Sequence, residues 1–208
     1  MKSIPYMHPM IYNLYLLALH RRNLGERYKL ISGEIGYNKI IFELGCGTGI
    51  LTDYLDKSCN YIGWDLNRTF IQYLKRKGQT AELHDIFDFS NYPENDVCVI
   101  VDILHHVVPK EHILIKNALK LTKKLIVVEP HKAFCFPLPD PLRKYYDSIL
   151  GDNDGINPYR DRVNWNYSPE ELKKYFLSSG ARKVTEVGKD IMAVFYFGKN
   201  DIMKANGN

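Results

Sequence analysis

Three glycines, four acids and three histidines hold the chemistry that can be read from this chain of 208 residues. Gly45, Gly47 and Gly49 follow the apolar run Ile40–Leu44 in G-x-G-x-G spacing, with Glu43 two residues before the first glycine. Such a run describes a buried strand that turns tightly, and glycines without a Cβ let a ligand lie directly against main-chain amides. Glu43 bears on which ligand. A pyrophosphate is held by amide N–H groups and a helix dipole, and a neighbouring carboxylate repels it. The dinucleotide spacing G-x-G-x-x-G also requires glycine at position 50, where this chain has Ile50. Both features oppose a nicotinamide dinucleotide and suit a ligand that carries positive charge.

Further acids fall into the same frame. Asp65 ends the stretch N-Y-I-G-W-D, twenty residues after Gly45, which is the spacing of a βαβ unit. Asp85 lies in A-E-L-H-D-I, and Asp102 closes D-V-C-V-I-V-D. With these residues the chain resembles the class I (Rossmann-like) S-adenosylmethionine-dependent methyltransferases, of the small-molecule, ubiquinone/menaquinone-methylase-like type. The family's first motif, E/D-x-G-x-G-x-G, is matched by residues 43–49. The cofactor's ammonium and sulfonium make an attraction of the acid that would repel a pyrophosphate. The resemblance implies S-adenosylmethionine as cofactor and S-adenosylhomocysteine as product. It places Glu43, Gly45, Cys46, Gly47 and Gly49 around the methionine part, Asp65 at the ribose, Asp85 at the adenine and Asp102 at the end of the fourth strand, with Leu66 and Ile86 also binding the cofactor. It covers residues 40–199 and is specific as far as Glu129.

Methyl transfer from a sulfonium is an in-line displacement on an already activated donor, so the protein mainly aligns the acceptor and excludes water. A general base is required only where the acceptor must lose a proton, and histidine is then the first candidate. His105 and His106 follow the fourth strand and His131 the fifth, so all three are catalytic candidates, each with a structural role as the alternative. Two other patterns carry less. In Asp152-Asn153-Asp154-Gly155 a calcium loop would start at Leu150 and lacks its closing glutamate, so the stretch reads as a turn. Asn157-Pro158-Tyr159 is similar to the N-P-P-Y motif of amino-nitrogen methyltransferases, but that motif belongs after the fourth strand, where this chain has D-I-L-H-H. Cysteines at 46, 59, 98 and 135 are too far apart for metal-pair spacing. They read as small buried residues of a reducing compartment, and no metal site is expected.

Short apolar strands alternating with helices must position these residues, which predicts an α/β fold. The expected form is a doubly wound, mostly parallel seven-stranded sheet with helices on both faces and the last strand antiparallel. Residues 1–38 are expected to form an N-terminal helical segment capping the domain. Its helix spans 8–24 and stops at Gly25, packed on the sheet in preference to lying as a lid with Tyr12 or Tyr15 at the substrate. Residues 39–200 are expected to form the methyltransferase domain. Within it crossover helices are expected at 50–57 and, capped by Asn67, to 77. Strands are expected at 80–84, Val97–Val101 and 125–129, a helix to 121, a capped helix from Ser168 to Gly180, and a closing hairpin of Lys183–Val187 with 191–197. An insertion at 130–167 holds Asp140, Pro141 and Gly151 as helix bounds. Its aromatics include Phe134, Phe136, Tyr145, Tyr146, Tyr159, Trp165 and Tyr167. They either line an acceptor pocket or fasten the insertion to the domain. The tail after Lys199 is expected to fray.

Composition bounds the partners. A hydrophobic content of 45% is that of a globular domain with a real core. The formal charge of +4 comes wholly from residues 1–30, where Lys2, Arg21, Arg22, Arg27 and Lys29 face one acid, Glu26. Nucleic acid is disfavoured on that balance, and the cluster is its best foothold. The apolar stretch 11–19 is too short to span a bilayer and lacks a cleavage site, so a cytoplasmic enzyme is expected. The functional expectation is methyl transfer to a small-molecule acceptor. An RNA or protein methyltransferase and a non-catalytic cofactor-binding subunit are the alternatives.

Overall fold

The computed structural model describes residues 2–132 and 139–197. Phe134, Cys135, Phe136 and the tail after Lys199 lie outside the described residues. Seven helices are α1 (Pro9–His20), α2 (Asn23–Ile35), α3 (Arg68–Arg76), α4 (Glu111–Lys120), α5 (Asp140–Ile149), α6 (Tyr159–Arg162) and α7 (Pro169–Ser178), counted among the described residues. The strands are β1 (Ile40–Leu44), β2 (Asn60–Asp65), β3 (Thr80–Leu83), β4 (Val97–Val101), β5 (Lys124–Pro130), β6 (Lys183–Val187) and β7 (Asp190–Tyr196). They form one sheet in the order β3-β2-β1-β4-β5-β7-β6, parallel from β1 to β5, with β7 antiparallel to both neighbours.

All five residues of β4 are buried, as expected of a parallel strand covered on both faces. Alternation along β1 sends Phe42 and Leu44 to one face, where they pack with α4 and α7 through Leu114, Ala118, Leu172 and Phe176. Ile41 faces the other side with Tyr28, Ile31 and Ile35 of α2 and Ile71 and Leu74 of α3. Glu43 shares that second face by the same alternation. Chain order reverses between β1 and β4, so their C-terminal loops diverge and leave a crevice. Helix ends follow the local chemistry: Asn67 accepts from the Thr69 amide to cap α3, and Ser168 and Glu171 form a reciprocal capping box on α7.

The N-terminal half departs from expectation in three places. The stretch 8–24 is not one helix, because α1 breaks at Arg21, which takes a φ of 49°, and α2 begins at Asn23. Gly25 therefore lies in the first turn of a helix and is no stop. A Cβ there would stand 3.3 Å from the Tyr54 hydroxyl, so glycine permits close packing. Residues 50–57 form only the 3-10 turn Ile50–Asp53 in place of a crossover helix. Helix α2 covers that part of the sheet instead, with Tyr28 stacked on Tyr54 at 5.7 Å and Ser32 Oγ donating to the Tyr54 carbonyl at 2.7 Å. Nor does α1 pack on the sheet. It lies over the glycine turn, bound by Thr48 Oγ1 donating to Asn13 Oδ1 at 2.5 Å, and leaves Met10, Ile11, Leu14 and Leu17 exposed.

Candidate active site

Strand β1 delivers the chain into its glycine turn with Glu43 still inside the protein, 3% exposed. Burial pushes its carboxyl up to about 8, while the Tyr61 hydroxyl donates to Oε2 and draws it down. Gly45 takes a φ of 68°, and a Cβ there would overlap Ile103 Cδ1 at 2.0 Å, so the loop after β4 closes directly on this backbone. The Gly47 amide donates to Asp65 Oδ2 at 2.8 Å, and the Asn67 amide donates to Oδ1 at 2.6 Å. Asp65 thereby ties the end of β2 to the turn after β1. Gly49 turns the chain away from the site and sits beneath Leu74.

Two cavities meet at the crevice. The larger, about 420 Å³, is lined by Gly45, Gly47, Asp65, Leu66, Asp85, Ile86 and Asp102. A narrow recess behind it reaches Glu43 and Cys46. Nine of the ten residues expected at the cofactor thus line these two spaces, which share Gly45, Gly47 and Asp102, with Gly49 the tenth in a packing role. The second cavity, about 280 Å³, is bordered by His105, His106 and His131. Tyr6, Tyr12, Asp102 and His106 belong to both walls. Tyr12 of α1 stands over Gly47 and packs on Phe70 with ring centres 4.8 Å apart, which roofs the larger cleft.

The histidines part company. His131 sits at the outer edge, with Nδ1 2.9 Å from the Lys189 carbonyl. His105 and His106, in the turn Leu104–His106, are buried among acids. His105 Nδ1 lies 2.8 Å from Glu129 Oε2, and Nε2 lies 2.9 Å from Asp152 Oδ2. His106 Nε2 is 3.2 Å from the same Asp152 oxygen, and Nδ1 is 3.1 Å from Asp154 Oδ2. Burial alone would lower both imidazoles, but Glu129 and Asp152 lift His105 to about 10, and Asp152 lifts His106 to about 9. Burial would likewise raise the two aspartates, yet the imidazoles draw Asp152 well below the usual range and Asp154 to about 2. Glu129 Oε1 also accepts from the Leu104 amide at 2.6 Å, which fixes the histidine turn to the end of β5.

Several of these residues escape a reading of the sequence. Asp152-Asn153-Asp154-Gly155 is indeed a turn, with the Ile156 and Asn157 amides donating to Asp154 Oδ1 at 2.8 and 3.0 Å. It is also the insertion's contribution to the site, since it brings two acids to His105 and His106. The insertion's aromatics contribute less: Trp165 is buried, donates from Nε1 to the Pro130 carbonyl at 2.6 Å and packs on Tyr167, which fastens the insertion to the domain. Arg27 is no part of a basic surface. It is wholly buried, with Nη2 2.7 Å from Asp102 and Nη1 3.0 Å from Asp190. A helical stripe of Arg27, Ile31 and Ile35 was the signal that could have placed it inside.

The comparisons with known proteins agree with the fold. Residues 42–125 match the family model described as a methyltransferase domain. No curated protein sequence matches the chain significantly. Among solved structures, it is similar to the complex of DhpI with S-adenosylhomocysteine at 17% identity, with a TM-score of 0.62 and 91% of each chain covered. It is also similar to the CurJ carbon methyltransferase at 16% identity and a TM-score of 0.61, covering 83% of this chain and 54% of that one. A third likeness is to human N-acetylserotonin methyltransferase in complex with S-adenosylmethionine, at 15% identity and a TM-score of 0.60, covering 92% of this chain and 56% of that one. The chain thus spans about half the length of two of these proteins and most of the first.

Proposed function

We infer that this chain, a class I methyltransferase by its domain match and its fold, transfers the methyl group of S-adenosylmethionine to a small-molecule acceptor. The carrying observation is the common wall of the two cavities, where Tyr6, Tyr12, Asp102 and His106 border both. A cofactor in the larger cleft would present its sulfonium methyl across that wall to an acceptor in the cavity of about 280 Å³. In this reading Glu43, Cys46 and the amides of the glycine turn take the methionine part. Asp65 and Leu66 would take the ribose, and Asp85 and Ile86 the adenine.

The donor is activated by its own charge, so the chain's work is alignment and exclusion of water. Helix α1 does this from above through Tyr12. When bound, the cofactor would supply a methyl group already activated by the sulfonium, with sulfur keeping the electron pair of the bond to the methyl carbon as the acceptor atom bonds to that carbon. His105 and His106 each meet a carboxylate on both nitrogens, so they hold protons at neutral pH and are poor bases. His131, which borders the same cavity without a carboxylate on either nitrogen among the contacts described, is the remaining candidate base for an acceptor that must lose a proton.

Macromolecular acceptors are less well served. Of the five N-terminal basic residues, Lys2 alone borders the cofactor cleft, Arg27 is buried, and Arg21 and Arg22 line a separate hollow. That scatter supports a small acceptor over RNA. Among the described residues no helix is long and apolar enough to cross a membrane; we place the enzyme in the cytoplasm on its cysteine usage. The test is an assay for S-adenosylhomocysteine over a panel of hydroxylated, carbon-acid and amine small molecules, with bulk RNA and protein alongside. Turnover on a small molecule supports the reading. Turnover on RNA or protein alone overturns it, and a stoichiometric partner with no turnover would favour a cofactor-binding subunit.

A further inference from the structure

We propose that His105, His106 and Asp152 form a binding site for a divalent transition-metal ion of the zinc class, set in the wall of the smaller cavity. Three ligand atoms converge there, one each from His105, His106 and Asp152, all within 4.8 Å of one another. The carboxylate oxygen lies 2.9 Å from one ring nitrogen and 3.2 Å from the other. A zinc ion with bonds of about 2.0–2.2 Å holds tetrahedral ligands roughly 3.3–3.5 Å apart, so a small outward shift of three side chains admits the ion.

The surroundings are built as a metal site's are. A ligating histidine is normally oriented by a carboxylate or carbonyl on its other nitrogen. Glu129 does this for His105 at 2.8 Å, and Asp154 stands 3.1 Å from His106 Nδ1, which has no aligned hydrogen bond of its own. The Tyr6 hydroxyl donates to Asp152 Oδ1 at 2.6 Å, which leaves Oδ2 to the ion. An ion here takes the place of the ring protons that His105 and His106 share with Asp152, and with those protons displaced three carboxylates surround two neutral imidazoles. Arg162, the nearest guanidinium, lies 4.0 Å from Asp152 Oδ2 and is engaged by Asp147 and the Asp152 carbonyl. Two imidazoles with one carboxylate select zinc or a neighbouring first-row ion over magnesium or calcium, which prefer oxygen ligands throughout.

Three protein ligands leave a coordination position open, and all three residues line the smaller cavity. On the methyltransferase reading, on which this one consequence rests, the acceptor is an oxygen donor such as a hydroxyl or carboxylate compound that completes the coordination.

The test needs no cofactor and no turnover, so it stands whether or not the chain transfers methyl groups. The full chain, stripped with a chelator, is titrated with Zn²⁺ by calorimetry and with Co²⁺ by visible absorption. One ion per chain at submicromolar affinity is expected, with the intense cobalt bands of a four-coordinate site. His105→Gln and Asp152→Asn each weaken zinc binding at least about a hundredfold, and Glu129→Gln weakens it about 10–100-fold, as loss of an orienting partner does. His84→Gln and His112→Gln leave it unchanged. Should a site variant fail to fold, the parent protein's stoichiometry and cobalt spectrum decide. Absence of stoichiometric binding, a six-coordinate cobalt spectrum, or binding indifferent to His105→Gln and Asp152→Asn overturns the proposal.

Discussion

Arg27 of α2 and Asp102 at the end of β4 meet at 2.7 Å, and the same guanidinium holds Asp190 of β7 at 3.0 Å. One fully buried cation thus joins the N-terminal helices to the point where the strand order reverses, and Asp102 lines both cavities there. Desolvating Arg27 is costly, and the two aspartates offset that cost while being held in place by it.

Arg27→Ala leaves the two acids without their guanidinium, facing only the His20 imidazole at 3.8 Å from Asp102 and 3.5 Å from Asp190. A loss of about 3–5 kcal/mol is expected, the range seen when one member of a buried ion pair is removed. Arg27→Lys keeps the charge without the two-pronged geometry and loses less. Urea unfolding of both variants measures this, and equal stability of Arg27→Ala and the parent would contradict it.

Glu43 makes stability depend on pH with an unusual sign for an acid. Its folded value of about 8 exceeds the ordinary 4.5, so between these values the unfolded chain has lost a proton that the folded chain keeps. Stability falls as pH rises through that window, and the full penalty is present above about 8. Glu43→Gln is therefore expected to be more stable than the parent at pH 8.5, by an order of about 2–4 kcal/mol, and to lose the advantage near pH 4.5. A cationic cofactor selects the carboxylate, so the same variant binds S-adenosylmethionine more weakly. Parallel thermal melts across pH decide the first point and calorimetry the second.

At Gly49 an added methyl group would stand 2.2 Å from Leu74 Cδ2, in a backbone with φ of 68°. Gly49→Ala is expected to cost about 2–4 kcal/mol from overlap and left-handed strain together. Leu74→Ala removes the overlap, so the double variant should be more stable than the two single losses summed. Strict additivity in that cycle would show that strain alone is responsible.

Tyr12 roofs the larger cleft from α1. Tyr12→Ala should weaken S-adenosylhomocysteine binding about tenfold, mainly through faster release, since affinity differences within one site lie mostly in the off-rate. Stopped-flow displacement reads this directly. An unchanged off-rate would mean that α1 is no roof.

How far the sequence reaches depends on whether the information is local. The glycine turn, Asp65, Asp85 and Asp102 are legible because each sits at a strand end, and strand ends follow from short apolar runs. Strand β4 and the capping box at Ser168 lie where the sequence places them for the same reason. The segment after Gly49 misleads because Ile50, Leu51, Tyr54 and Leu55 repeat at helical spacing, while the face they would cover is taken by α2. Asp152 and Asp154 are a turn by every local sign, and only the fold brings Asp152 to His105, 47 residues earlier in the chain, and Asp154 to His106. Arg27 was obscured by charge, since a basic residue among basic neighbours suggests a solvated patch.

The central claim is that the crevice between β1 and β4 binds S-adenosylmethionine through the acid at the end of β2. Calorimetric titration of the protein and of Asp65→Ala with S-adenosylmethionine, S-adenosylhomocysteine and NAD tests it most directly. Binding of the first two, lost or weakened at least about tenfold in the variant, with none of NAD, is the predicted result. Binding of NAD in place of the sulfonium pair, or affinity indifferent to Asp65, would contradict the account.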